Sequence, residues 1–214
     1  MKEALMNPRL KIVKHPLILQ KLTIMRNKKT DNKLFRELLN ELSALMAYEI
    51  TRDVKLCTNE IETPLGKTIG YKLAKPIAIV PILRAGLIMA DGILNLIPMA
   101  SVGHIGIYRD EKTLRPVEYF CKLPKNINKA LTLVIDPMLA TEHSAAKSIE
   151  IIKERGGADI KFVCLISCPE GFKVFNKEHP DIDVYTAFID EKLNKKGYIV
   201  PGLGDAGDRL FGTG

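Results

Sequence analysis

The chain has 214 residues, 46% hydrophobic and 27% charged, which excludes a disordered or fibrous chain and allows one α/β domain (1–214) with its own core and a modest appendage. Its longest apolar run, Pro76–Leu83, stops at Arg84, far short of the roughly 20 residues of a bilayer span. The start, Met1 to Pro8, has no apolar leader core, so a soluble cytoplasmic protein is expected. Net charge is +7, spread over pairs such as Lys28-Lys29 and Lys195-Lys196 rather than gathered in a stripe; a solvated surface is the favoured reading, and composition alone leaves nucleic acid or small polyanionic substrates open as partners.

An N-terminal arm and helix occupy about 1–55. From Thr30 to Arg52, Leu34, Leu38, Leu42, Leu45 and Met46 recur at helical spacing, and Thr30 or Asp31 can cap the start. Ile77–Leu83 reads as a buried strand and Leu87–Leu96 as the helix behind it. Val102–Tyr108 is strand-like, and 104–124 reads as a hairpin with a basic tip. Ala130–Ile135 is a β-branched strand and Ser144–Arg155 a helix stopped by Gly156-Gly157. Ile160–Ser167 is another buried strand, Gly171–Lys177 a short helix, and Val184–Ile189 a further strand. Alternating strands and helices predict an α/β fold with a largely parallel sheet flanked by helices. Cys57, Cys121, Cys164 and Cys168 contain no Cys-x-x-Cys pair and read as structural thiols in a reducing compartment. The four histidines have neither metal-ligand spacing nor a neighbouring nucleophile motif.

In parallel sheets chemistry gathers beyond the carboxyl ends of the strands, and four polar segments fall there. Leu133-Val-Ile-Asp136 runs an apolar strand into a carboxylate, and a short loop then opens a helix at Ser144. The carboxylate suits sugar hydroxyls, and the loop N–H groups with the helix start suit a phosphate; alternatively, Asp136 and Thr141 only end a strand and cap a helix. Val80 to Gly86 brings Arg84, a fork matched to phosphate oxygens, into a tight turn; a plain surface arginine is the other reading. The segment 198–213 carries glycines at 202, 204, 207 and 212, whose freed backbone suits the edge of a flat base. Its Asp205 and Asp208 suit a metal-bound water or a pairing with Arg209. The hairpin at 104–124 is either a lid over a polyanion or a solvated ribbon.

Together these segments resemble the uracil phosphoribosyltransferase family. The signature is Tyr198-Ile-Val-Pro-Gly-Leu-Gly-Asp-Ala-Gly-Asp-Arg-Leu-Phe-Gly-Thr213, supported by Pro81 to Leu87, His104 to Asp110 and Asp136 to Thr141. The resemblance implies the type I phosphoribosyltransferase fold with a small hood from the chain ends, and a uracil-binding loop at about 198–213. It implies uracil contacts at Ile199, Gly204, Asp205 and Ala206. It also implies 5-phospho-α-D-ribose 1-diphosphate (PRPP) contacts at Arg84, Arg109, Asp136, Pro137, Met138, Leu139, Ala140, Thr141, Glu142, His143, Ser144 and Asp205. Asp136, Asp205 and Arg109 would be catalytic, and Mg²⁺ would be held mainly through PRPP and water, with no direct protein ligand. A homodimer or homotetramer, with GTP as activator, is implied as well.

One departure is local. The family's phosphate loop reads Ala-Thr-Gly-Gly-Ser, and here it is Ala140-Thr141-Glu142-His143-Ser144. A side chain at a position needing positive φ is strained by about 1 kcal/mol or more, and a carboxylate facing a phosphate is repulsive. Three readings follow: an active enzyme, a weakened or inactive relative that keeps the uracil loop, and an RNA-binding pyrimidine regulator of the same fold. The complete uracil loop favours the first two.

Overall fold

A computed structural model describes residues 6–109, 116–141 and 143–213. In chain order the elements are β1 (Leu10–Ile12), α1 (Pro16–Arg26), α2 (Asn32–Ile50), β2 (Leu56–Thr63), β3 (Gly66–Leu73), β4 (Ile77–Leu83), α3 (Gly86–Leu96), β5 (Ser101–Val102), β6 (His104–Arg109), β7 (Pro116–Lys122) and β8 (Leu131–Ile135). There follow β9 (Met138–Leu139), α4 (His143–Glu154), β10 (Asp159–Ser167), α5 (Pro169–Glu178), β11 (Asp183–Ile189), β12 (Lys192–Leu193), β13 (Ile199–Val200) and α6 (Ala206–Phe211). The main sheet runs β1-β11-β10-β8-β4-β6-β7, with β5 paired to β4 and β9 to β10. Its pairings are parallel except β6–β7.

Alternation along the strands builds two core layers. Ile77, Ile79, Leu131, Leu133 and Ile135 face α1, α2, α3 and α6, where they meet Phe35, Leu39, Met46 and Met89. Ala78, Val80, Ile82, Val134, Phe162 and Cys164 face α4 and α5 and meet Ile149, Ile152, Phe172 and Phe175. Strands buried on both faces are what an all-parallel arrangement requires, and they explain the continuous apolar runs of the sequence.

From β4 the chain passes to β6 and β7 on one side and then to β8 on the other. The order therefore reverses between β4 and β8, which opens a crevice beyond their carboxyl ends. The register sets Pro81 beside Ile135, so Arg84 and Asp136 leave the sheet side by side.

Three features extend the sequence reading. The arm contains β1, which adds a parallel edge strand to β11, and α1, capped by the His15 ring accepting from Leu17 N–H at 3.2 Å. The strand-like run at 102–108 is broken at Gly103, where a side chain would meet the Lys122 carbonyl at 2.8 Å and Pro124 Cδ at 2.9 Å. Strands β2 and β3 form a separate two-stranded ribbon. Asp31 caps α2 by accepting from Leu34 N–H at 2.8 Å. The tip of the 104–124 hairpin, 110–115, lies outside the described residues.

Candidate active site

A cavity of about 240 Å³ opens in the crevice. Leu83, Arg84 and Ala85 come from the end of β4, and Asp136, Met138, Leu139, Ala140, Thr141, Ser144 and Ala145 come from the segment joining β8 to α4. The start of α6 contributes Asp205, Ala206 and Gly207. Residues as far apart in sequence as Leu83 and Gly207 thus share one cavity because two parallel strands end together and the C-terminal loop folds over them.

Glycines permit the close approaches. A side chain at Gly86 would meet the Ile135 carbonyl at 2.6 Å, and one at Gly171 would meet the Leu139 and Ala140 carbonyls. At Gly207 it would lie 3.2 Å from Asp205 Oδ1 and 3.7 Å from Arg84 Nη2. Carboxylate, guanidinium and helix start therefore crowd one spot. Arg84 also lies over the Phe211 ring, 5.7 Å from its centroid.

Asp136 accepts from Met138 N–H at 3.0 Å, which holds the turn after β8. Its carboxyl is raised from an ordinary 3.8 to about 7. Burial is the main cause, the Met138 hydrogen bond opposes it, and the charge of Asp205 adds to it. The residue keeps partial exposure along the cavity wall, so a ligand can reach it. Asp205 caps α6, its Oδ1 accepting from Asp208 N–H at 2.9 Å. Arg209 pairs with neither Asp205 nor Asp208: its guanidinium donates to the carbonyls of Leu203, Asn27 and Thr30.

The cavity thus gathers Arg84, Asp136, Met138, Leu139, Ala140, Thr141, Ser144, Asp205 and Ala206. Pro137, Ile199 and Gly204 are not among the lining residues. Pro137 is buried with its carbonyl accepting from Leu165 and Ile166 N–H; Ile199 sits in β13; Gly204, at φ +81°, is exposed beside the Arg209 stem. Glu142 and the side chains of Arg109 and His143 lie outside the described residues. Sequence reasoning missed Ala145, whose signal is a small residue in the first turn of a helix facing the crevice, and placed Gly207 in the base-binding segment without a contact of its own. It also missed Gly197, where a side chain would meet the Thr141 methyl at 2.8 Å, so the β12–β13 turn rests on the loop before α4.

Two opposed carboxylates that repel one another offer hard oxygen donors to a hydrated cation. Among the described residues no group of three or more metal-ligating side chains is assembled. The carboxylates of Asp136 and Asp205, both on the cavity wall, fit a hydrated Mg²⁺.

A parallel sheet with a carboxylate loop after β8 and an arginine turn after β4 defines the phosphoribosyltransferase fold class. Purine phosphoribosyltransferase from Pyrococcus horikoshii shares this fold, with TM-score 0.51 and 19% identity over 72% of this chain and 84% of that one. The AQ2163 protein from Aquifex aeolicus superposes with TM-score 0.89 at 36% identity, covering 94% and 97% of the two chains. The family model for uracil phosphoribosyltransferase matches residues 12–213. Curated uracil phosphoribosyltransferases from Streptococcus mutans and Clostridium tetani are 61% and 63% identical to this chain, over 94% of it and 97% of each relative. The chain belongs to the uracil phosphoribosyltransferase family and is a pentosyltransferase.

Proposed function

We propose that the protein transfers the phosphoribosyl group of PRPP to N1 of uracil, forming UMP and diphosphate. The observation that carries this reading is the convergence of Arg84, Asp136, the loop to Ser144, and the Asp205–Ala206 turn on one cavity. In this assignment Asp136 accepts from the ribose hydroxyls, and the 5′-phosphate meets the N–H groups between Thr141 and Ser144 at the start of α4. Arg84 and Arg109 hold the diphosphate. Backbone groups of Ile199, Gly204 and Ala206 read N3, O4 and O2 of the base, and Asp205 acts from the opposite side through water.

The C1′–O bond breaks as C1′–N1 forms; the electron pair leaves with diphosphate and the N1 proton passes to solvent. Charge separates, so catalysis is positioning and electrostatics rather than nucleophilic attack by a side chain. Bound with PRPP, Mg²⁺ would neutralise the departing diphosphate. Product analysis tests the reading: UMP and diphosphate should form in equal amounts only when uracil and PRPP are both supplied with Mg²⁺. Diphosphate release without uracil, or no UMP with both, would reject it.

The same reading includes a homodimer or homotetramer, GTP activation and a cytoplasmic setting. Support for self-association comes from the β2–β3 ribbon, which exposes Leu56, Leu73, Tyr71 and Ile69 on one face. An isolated two-stranded ribbon is marginal in water, and such an apolar face marks an interaction surface. The +7 charge favours a polyanionic effector. For the compartment, support comes from the four cysteines, none of which forms a disulfide. Sedimentation with and without GTP, beside rates in the same buffers, tests assembly and activation.

A further inference from the structure

The loop proposed to read the base carries Gly202 and Gly204 at φ of +62° and +81°. Such a glycine-rich segment loses much entropy on ordering, so its conformation must be imposed from outside.

The imposing group, Arg209, is not among the residues that line the cavity. The Arg209 guanidinium donates through Nη1 to the Leu203 carbonyl at 2.8 Å, and through Nη2 to the Asn27 carbonyl at 2.8 Å and the Thr30 carbonyl at 3.3 Å. It stacks over the fully buried Phe35 ring, 4.4 Å from the centroid. Its stem passes Gly204, where a side chain would stand 3.4 Å from Arg209 Cδ. One cation therefore fixes the carbonyl before Gly204, brushes Gly204 itself, and anchors both to the α1–α2 junction. Among the described residues its hydrogen bonds go to carbonyls and not to a carboxylate, so charge neutralisation does not explain the arrangement; a planar fork that spans three acceptors does.

The same junction grips the other end of the segment. Arg26, the last residue of α1, donates through Nη1 to Asp190 Oδ1 at 2.8 Å and lies 4.7 Å from the Phe188 ring centroid. Asp190 is 2% exposed and opens the stretch that leads through β12 and β13 to Ile199. Thr30 secures the junction by donating to the Ile24 carbonyl, and Arg36 donates to the Leu210 carbonyl at 2.7 Å. Residues 26–30 thus hold the hood before β12 and after Gly204, with the base-reading atoms between.

We infer that Arg209 is a positioning residue for base recognition, setting the Leu203–Gly204 backbone from the α1–α2 junction without touching substrate. The inference rests on the proposed uracil transfer. Removing the fork leaves three carbonyls unbridged and frees the loop, so the base is bound by an ensemble of loop shapes. Most of the PRPP contacts proposed above lie on β4 and the β8–α4 loop, so PRPP binding should depend far less on this anchor.

The test is steady-state kinetics of Arg209→Lys and Arg209→Ala beside the parent, with each substrate varied in turn. A lysine keeps charge and stem but cannot span three carbonyls. The expected result is a KM for uracil raised about tenfold or more in both variants, with the KM for PRPP within about twofold of the parent. Millimolar guanidinium, far below denaturing concentrations, should lower the uracil KM of Arg209→Ala and leave the parent unchanged. Equal rises in both constants, no rise in either, or loss of folding in both variants would overturn the inference and leave Arg209 a stability residue. A parent that makes no UMP rejects the uracil assignment itself; an active parent whose variants show no split rejects only this inference.

Discussion

Replacing Asp136 with asparagine should stabilise the ligand-free protein at alkaline pH while removing its activity. Burial raises the Asp136 carboxyl from 3.8 to about 7. A group raised on folding contributes stability that is fully present below its unfolded value and is lost as pH rises through the folded one. At pH 5 the folded protein keeps the proton that the unfolded chain has mostly released, at a cost of about 1.6 kcal/mol. At pH 8.5 the carboxylate is ionised inside the site and the cost approaches about 4 kcal/mol, an upper value because Asp136 retains some solvent contact. The Asp136→Asn side chain has no such dependence and can still accept from Met138 N–H through its oxygen. Urea unfolding of parent and variant at equal protein concentration should show the variant's advantage growing by about 2.5 kcal/mol from pH 5 to pH 8.5. Turnover should fall at least about a hundredfold, since ribose loses its acceptor. A stability difference that stays constant with pH, or a variant less stable at pH 8.5, would refute the enclosed carboxylate.

Other substitutions separate the parts of the site. Asp205→Ala should lower kcat strongly and also loosen α6, because its Oδ1 caps Asp208 N–H; kinetics with circular dichroism separate the two, the cap contributing about 1 kcal/mol. Arg84→Ala should mainly raise the KM for PRPP, about tenfold for loss of a charge-assisted contact. Gly171→Ala should destabilise the protein by about 1–3 kcal/mol, since its Cβ would press on the Leu139 and Ala140 carbonyls; thermal melting measures it. Changing Glu142 and His143 together to glycine should lower the KM for PRPP, a tenfold fall corresponding to about 1.4 kcal/mol. An unchanged constant would mean that the loop accommodates both side chains.

The parallel core was legible because burial on both faces leaves unbroken apolar runs: Ile77–Leu83 and Ile160–Ser167 appear as strands at nearly those bounds. β1 was not, because three residues carry no period. α1 was missed because its cap is a histidine and Leu17, Leu19 and Ile24 are exposed, which blurs the stripe. The β2–β3 ribbon was not read although Ile69, Tyr71 and Leu73 alternate along β3; they are exposed, and the ribbon pairs with no strand of the main sheet. At the site, a carboxylate ending an apolar strand pointed to Asp136, and a glycine-rich loop pointed to 198–213. The contacts of Arg209 were hidden because its acceptors belong to Leu203, Asn27 and Thr30: carbonyls have no side-chain identity to read.

The measurement that tests the central claim most directly is kcat/KM for uracil against cytosine and hypoxanthine at saturating PRPP and Mg²⁺. Cytosine carries a 4-amino donor where uracil has a carbonyl, and the Gly204 region is assigned an N–H donor. Buried mismatched donors cost several kcal/mol, so discrimination of about a thousandfold or more is expected, with hypoxanthine excluded by size. Comparable turnover of cytosine, or preference for hypoxanthine, would contradict the assignment of this site to uracil.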